Sequence, residues 1–214
     1  MCTKINVKYS LRNLCVKKAQ LTVGKRHDNG FLGITKQPDI LYLFDLGYWS
    51  FKRLKKIISA VSFFVCRLKT SCDPLIVAVT QNKWKALIGK RLSEIMPLLE
   101  GNDQIDLKVK LSKAKKPHFV ETVRLVGLLH AGSWHFYLTN IFEATFTPET
   151  IYDLYRQRSA VEIFFNFFKH LLHIENLLAR NKNGIMVEIY SALIFYLLTQ
   201  IVIVLAAQKS GKPI

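Results

Sequence analysis

The chain has 214 residues, half of them hydrophobic, and carries 31 Lys and Arg against 15 Asp and Glu, a formal net charge of +16. That length buries a real core as one domain, or one domain with an insertion. The basic excess selects a polyanion as partner, nucleic acid before an anionic membrane surface. Cys2, Cys15, Cys66 and Cys72 form no C-x2-C pair and no His pair has zinc-ligand spacing, which argues against a structural zinc and for reduced intracellular thiols. The opening MCTKINVKYSLRN is too polar for a secretory signal peptide.

In chain order, Ile5 to Val23 alternates and is rich in branched residues. INVKYSL and CVKKAQLTV therefore read as two antiparallel strands with Asn13 in the turn. GKRHDNG is a Gly-flanked loop, and ILYLF after Pro38 is a continuous apolar run that suits a strand covered on both faces. Asp45 follows that strand, then Leu46-Gly47-Tyr48 and a basic amphipathic helix, SFKRLKKIISAV. A carboxylate at the C-terminal tip of a buried strand is a frequent site for chemistry in α/β sheets, with capping of the next helix as the structural alternative.

Residues 73–140 change character. IDLKVKLS, FVETVRLVGLL and WHFYLTNI read as strands. Lys108, Lys110, Lys113, Lys115 and Lys116 form a patch that either meets phosphates or guards a solvated edge strand. Thr147 as N-cap and Pro148 at the first helical position start the next helix.

The segment 151–170 reads as one amphipathic helix. Tyr155, Arg158, Glu162 and Lys169 fall within an arc of roughly 60°, flanked by Val161, Phe164, Phe165, Phe168 and Leu172 as the buried arc. Spacing alone makes such a stripe a solvated face with weak ion pairs. Further on, Ala192–Ala207 is an apolar run interrupted by Thr199 and Gln200, and it reads as a buried core helix rather than a membrane span. No internal repeat or low-complexity tract appears.

Two motifs resemble one family. Y-x2-R-x3-E-x6-K, carried by Tyr155, Arg158, Glu162 and Lys169, is similar to the signature of DDE transposases of the insertion-sequence-four type. LYLFDLGYWS followed by FFVCRLK looks like their second-aspartate motif, with Arg67 and Lys69 at the closing R-x-K. The resemblance implies an α/β fold with a ribonuclease-H-like catalytic core. Residues 1–72 and 147–214 would belong to the core, and 73–146 would be a β-rich insertion. It implies Asp45 and Glu162 as catalytic carboxylates and ligands of two Mg²⁺ or Mn²⁺ ions. Tyr155, Arg158 and Lys169 would hold phosphates of double-stranded DNA at transposon ends.

The activity implied is cut-and-paste transposition, by phosphodiester cleavage and strand transfer. A homodimer in the bacterial cytoplasm, associated with the nucleoid and not with a membrane, goes with it. Two departures stand out. The first 27 residues hold no Asp or Glu, and neither Asp28 nor Asp39 has the position of the family's first catalytic Asp. His27-Asp28 instead looks like the H-D pair before the second-aspartate strand, so 5–23 and 40–44 would be the second to fourth strands of a core lacking its first. Ser159 also stands where the family usually shows Trp. These departures imply an N-terminally truncated copy, and the alternative function is a catalytically inactive DNA-binding remnant that inhibits a full-length partner.

Overall fold

The computed structural model describes residues 3–13, 15–23, 33–34, 37–111, 121–170 and 178–211. His27, Asp28, Lys113, Lys115, Lys116 and Leu172 lie outside the described residues. The chain folds as two compact units, one of residues 1–31 and 159–214, the other Leu32–Arg158. The architecture is mixed α/β with a mixed sheet.

The unit of Leu32–Arg158 holds a six-stranded sheet. Its strands are β3 (Leu41–Phe44), β4 (Phe63–Arg67), β5 (Leu75–Val79), β6 (Gln104–Lys110), β7 (Thr122–His130) and β8 (Ser133–Thr139). Their order is β3-β4-β8-β7-β6-β5, parallel between β3 and β4 and antiparallel elsewhere. The expected boundary near residue 72 thus falls between two strands of one sheet.

Helix α1 (Phe51–Ser59) is the crossover that parallel pairing of β3 and β4 demands. Ser50 caps it through Oγ, and Leu54 and Ile57 bury its apolar stripe. The sheet alternates as the pleat requires. Tyr42, Phe44, Phe64, Cys66, Leu107, Val109 and Leu125 face α1 and the short helix α2 (Leu92–Ile95), while Leu41, Leu43, Phe63, Val65, Val126 and Tyr137 face α3 (Pro148–Arg156). Both faces of ILYLF are covered, as its unbroken apolar run predicts.

Thr147 caps α3 with its hydroxyl accepting from the Thr150 amide, and Pro148 stands in the first turn. Lys108 and Lys110 are exposed on β6. That strand pairs on both sides, with β5 and with β7, so the edge-strand alternative for these lysines does not hold.

In the other unit, β1 (Thr3–Ser10) and β2 (Cys15–Val23) form an antiparallel hairpin as the alternation predicts, with a bulge after Lys8. They make a two-stranded sheet of their own rather than continuing the sheet of β3. The reason lies in what covers them. Ile5, Val7, Tyr9, Val16 and Ala19 pack against Phe164 and Phe168 of α4 (Ala160–His170) and against Ile189, Leu193 and Tyr196 of α5 (Lys182–Ser210).

Two helical expectations change. The segment 151–170 is not one helix: a 3-10 turn, Gln157–Ser159, separates α3 from α4. That turn winds at about three residues per turn, so the arc drawn through Tyr155, Arg158, Glu162 and Lys169 does not run continuously across it. Helix α5 is also not a buried core helix along its length. Ile185, Ile189, Leu193 and Tyr196 are buried, but Leu198, Ile201, Val202, Ile203 and Leu205 are exposed. Apolar side chains lie on every side of it, and among the described residues the hairpin and α4 cover it as far as Leu197. Among the described residues it is the one helix long and apolar enough, by length and composition, to cross a membrane.

Candidate functional site

The chemistry-bearing residues of the Leu32–Arg158 unit gather at the C-terminal end of β3. Asp45 leaves the strand in extended conformation, and its Oδ1 accepts from the Leu46 amide at 2.7 Å, capping the 3-10 turn Leu46–Tyr48. The capping alternative is therefore real, but it engages one oxygen. The other, Oδ2, stands 3.9 Å from an amino nitrogen of Arg158, with the Asp45 side chain 54% exposed and that of Arg158 24%. An exposed pair at that distance contributes about 0–1 kcal/mol, so neither charge is locked to the other.

Arg158 also lies over the Tyr155 ring, 5.8 Å from its centroid. Tyr155 itself is buried, packed at 5.0 Å against Tyr137. On the same face of the sheet, the Arg67 guanidinium donates to His135 Nδ1 at 2.9 Å. A cleft of about 530 Å³ opens beside the tip and is lined by Leu46, Arg67, Lys69, Cys72, Trp134 and Phe136 among others. The tip is thus a carboxylate among guanidinium groups and phenols, and its cations suit phosphate oxygens.

Burial pushes the Tyr155 phenol up to about 12, helped by the Asp45 carboxylate and opposed by Arg158 and Arg67. The sign follows from linkage. A phenol whose folded value exceeds the ordinary 10 contributes stability that is whole below pH 10 and is lost as pH rises towards 12. Tyr155→Phe is therefore expected to flatten the loss of stability between pH 10 and 12, measured by urea unfolding at each pH. An unchanged profile would mean that the phenol ionises as it does in the unfolded chain.

The structure brings Asp45, Tyr155 and Arg158 together in this unit. Glu162 and Lys169 belong to the other unit, both exposed on α4, whose opposite side buries Phe164 and Phe168. Ser159 ends the 3-10 turn. Sequence reasoning gave Arg67 a place in a motif but no role, and missed His135 and Tyr137. Only the strand alternation, which sets His135 and Tyr137 on one face, could have signalled them.

Two divalent ions require several carboxylates around them. Asp45 fits in kind, as an exposed carboxylate with one oxygen clear of the backbone. Within the Leu32–Arg158 unit the charge that Asp45 faces is the Arg158 cation, and among that unit's described residues no three His, Cys, Asp or Glu side chains gather as a metal site. The described residues of that unit do not by themselves make a two-ion site.

Comparison with known proteins agrees with the motifs. The chain is 29% identical over 197 residues to a probable transposase for insertion sequence element IS5377 of Geobacillus stearothermophilus. The match covers 91% of this chain and 48% of that protein, so the chain spans about half the length of the curated relative it matches. No solved structure matches. Residues 1–198 match the family described as the transposase DDE domain, and that coverage shows that the chain belongs to the DDE transposase family.

Proposed function

We propose that the chain serves DNA transposition of the insertion-sequence-four type, capturing the transposon end through phosphate contacts. Arg158 and Tyr155 beside Asp45, with Lys169 on α4, are the DNA-contacting residues. Asp45 and Glu162 are the carboxylates it contributes to cut-and-paste cleavage and strand transfer. The supporting observation is the tip of β3, where the Asp of the second-aspartate motif meets the Arg of the helical signature at 3.9 Å. Two motifs separated by more than a hundred residues thus converge on one place, as a shared function requires.

Guanidinium groups read phosphate bidentately, and an ammonium acts as a point charge. Net charge of +16 supplies the long-range attraction for a polyanion. Divalent metal is the family's ordinary requirement, and a further carboxylate from outside the described residues would complete the set here. We assign residues 73–146 to the family's β-rich insertion and the rest to a ribonuclease-H-like core acting in the bacterial cytoplasm.

The net charge of +16 and the Arg158 guanidinium serve equally a second reading, a DNA-binding protein without catalysis. One experiment separates them: incubation of the full chain with duplex DNA carrying transposon ends, with Mg²⁺ or with a chelator. Cleavage dependent on Mg²⁺ supports the transposase reading. Salt-sensitive binding with no cleavage in either condition overturns it in favour of the binder.

A further inference from the structure

Arg124 lies 5% exposed in β7, on the face of the sheet that carries α3. Its guanidinium grips Asp106 of β6 with both arms, Nε to Oδ1 at 2.9 Å and one amino nitrogen to Oδ2 at 2.8 Å. The same amino nitrogen donates to the Phe146 carbonyl at 2.7 Å, and the other donates to the Ile141 carbonyl at 3.2 Å. Those two carbonyls belong to the link between β8 and α3. The start of the link is held a second time, because the Asn140 side chain accepts from the Phe64 amide and donates to the Ser62 carbonyl, each at 2.9 Å.

We propose that Arg124 is a positioning residue for the DNA-contacting tip. By holding the link at Ile141 and at Phe146, it fixes where Thr147 caps α3, and so where Tyr155 and Arg158 stand beside Asp45. This rests on the reading of Arg158 as a phosphate contact. The chemistry explains why an Arg is used. A buried ion pair is often no more stabilising than a well-packed apolar pair of the same volume. An apolar pair, however, leaves two buried carbonyls without donors and nothing to set their positions. Only the planar fork of a guanidinium reaches a carboxylate and two carbonyls at once; an ammonium on the same strand does not.

The test uses the full chain and duplex DNA. Arg124→Lys keeps the charge and loses the fork, so DNA affinity should fall about tenfold, as it does for loss of one charge-assisted contact. In a background carrying both Tyr155→Phe and Arg158→Ala the same change should cause no further fall, since Arg124 acts through those two contacts. Hydrogen exchange of the α3 amides should accelerate while those of β4 and β8 stay protected. The double variant Asp106→Leu with Arg124→Met should melt higher than Arg124→Lys, since no strained buried ion pair remains, but should not recover the affinity or the α3 protection.

Affinity losses that simply add, or an apolar pair that restores affinity and α3 protection, would overturn the proposal. Should Arg158→Ala leave DNA affinity unchanged, the reading of Arg158 fails instead. Exchange of α3 in the apolar pair then decides alone: fast exchange supports positioning by Arg124, and wild-type protection overturns it.

Discussion

Asp45→Asn and Glu162→Gln are each expected to remove Mg²⁺-stimulated cleavage of transposon-end DNA while leaving the DNA bound. Each substitution keeps the side chain's shape and deletes its charge, so what is lost is hard-cation affinity rather than packing. Losses of about a hundredfold to a thousandfold follow removal of a single preorganised group that stabilises developing charge, and a metal-holding carboxylate belongs in that class. The two variants should differ in binding. Asp45 faces Arg158 at 3.9 Å, so neutralising it removes a negative charge from the path of an approaching phosphate, and affinity at low salt should hold or rise. Glu162 is exposed on α4, and its variant should bind as wild type does. Undiminished cleavage in either variant removes that residue from the proposed carboxylate set.

The largest expected effect on stability is Phe64→Ala. Phe64 is wholly buried in β4 between two paired neighbours, packs against Phe44 at 6.4 Å, and carries an amide that the Asn140 side chain holds. Truncating a buried Phe costs about 3–5 kcal/mol through lost transfer energy and the cavity left behind. Folded domains have only about 5–15 kcal/mol in hand, so the Leu32–Arg158 unit should approach unfolding at 37 °C. Urea unfolding followed by Trp fluorescence would read this, because Trp49 and Trp84 are buried in the same core. A midpoint unchanged in the variant would show that the core closes over the gap.

Much of this fold was legible because its signals are local. The β1–β2 hairpin follows from alternation, the Thr147 cap from three adjacent residues, and β3 from an apolar run that cannot face water on either side. What was not legible depends on partners far along the chain. Nothing near Ser133–Thr139 says that β8 inserts between β4 and β7, because register is settled by long-range pairing. Arg124 and Asp106 meet diagonally across two strands, and Lys108 is the residue directly opposite Arg124.

The apolar circumference of α5 gave no side preference, so the end of its cover at Leu197 could not be read from composition. The 3-10 turn at Gln157–Ser159 leaves no mark in a helical projection, which treats every residue as 100° from the last. Within the site, the family resemblance set Asp45 and Arg158 in two separate motifs, and the structure brings the two residues to one strand tip, 3.9 Å apart. The resemblance did not foretell that Tyr155 is buried behind them, with Tyr137 as its neighbour.

An Arg158 guanidinium that takes a DNA phosphate at the tip of β3 must show itself in the salt dependence of binding. The direct measurement is a salt titration of duplex DNA binding, by fluorescence anisotropy, for the wild-type chain and Arg158→Ala. The variant should bind more weakly at every salt concentration, with a log–log slope shallower by about one, the signature of one fewer phosphate contact. Equal affinity with an equal slope would place the DNA elsewhere on the protein and remove Arg158 from the phosphate contacts.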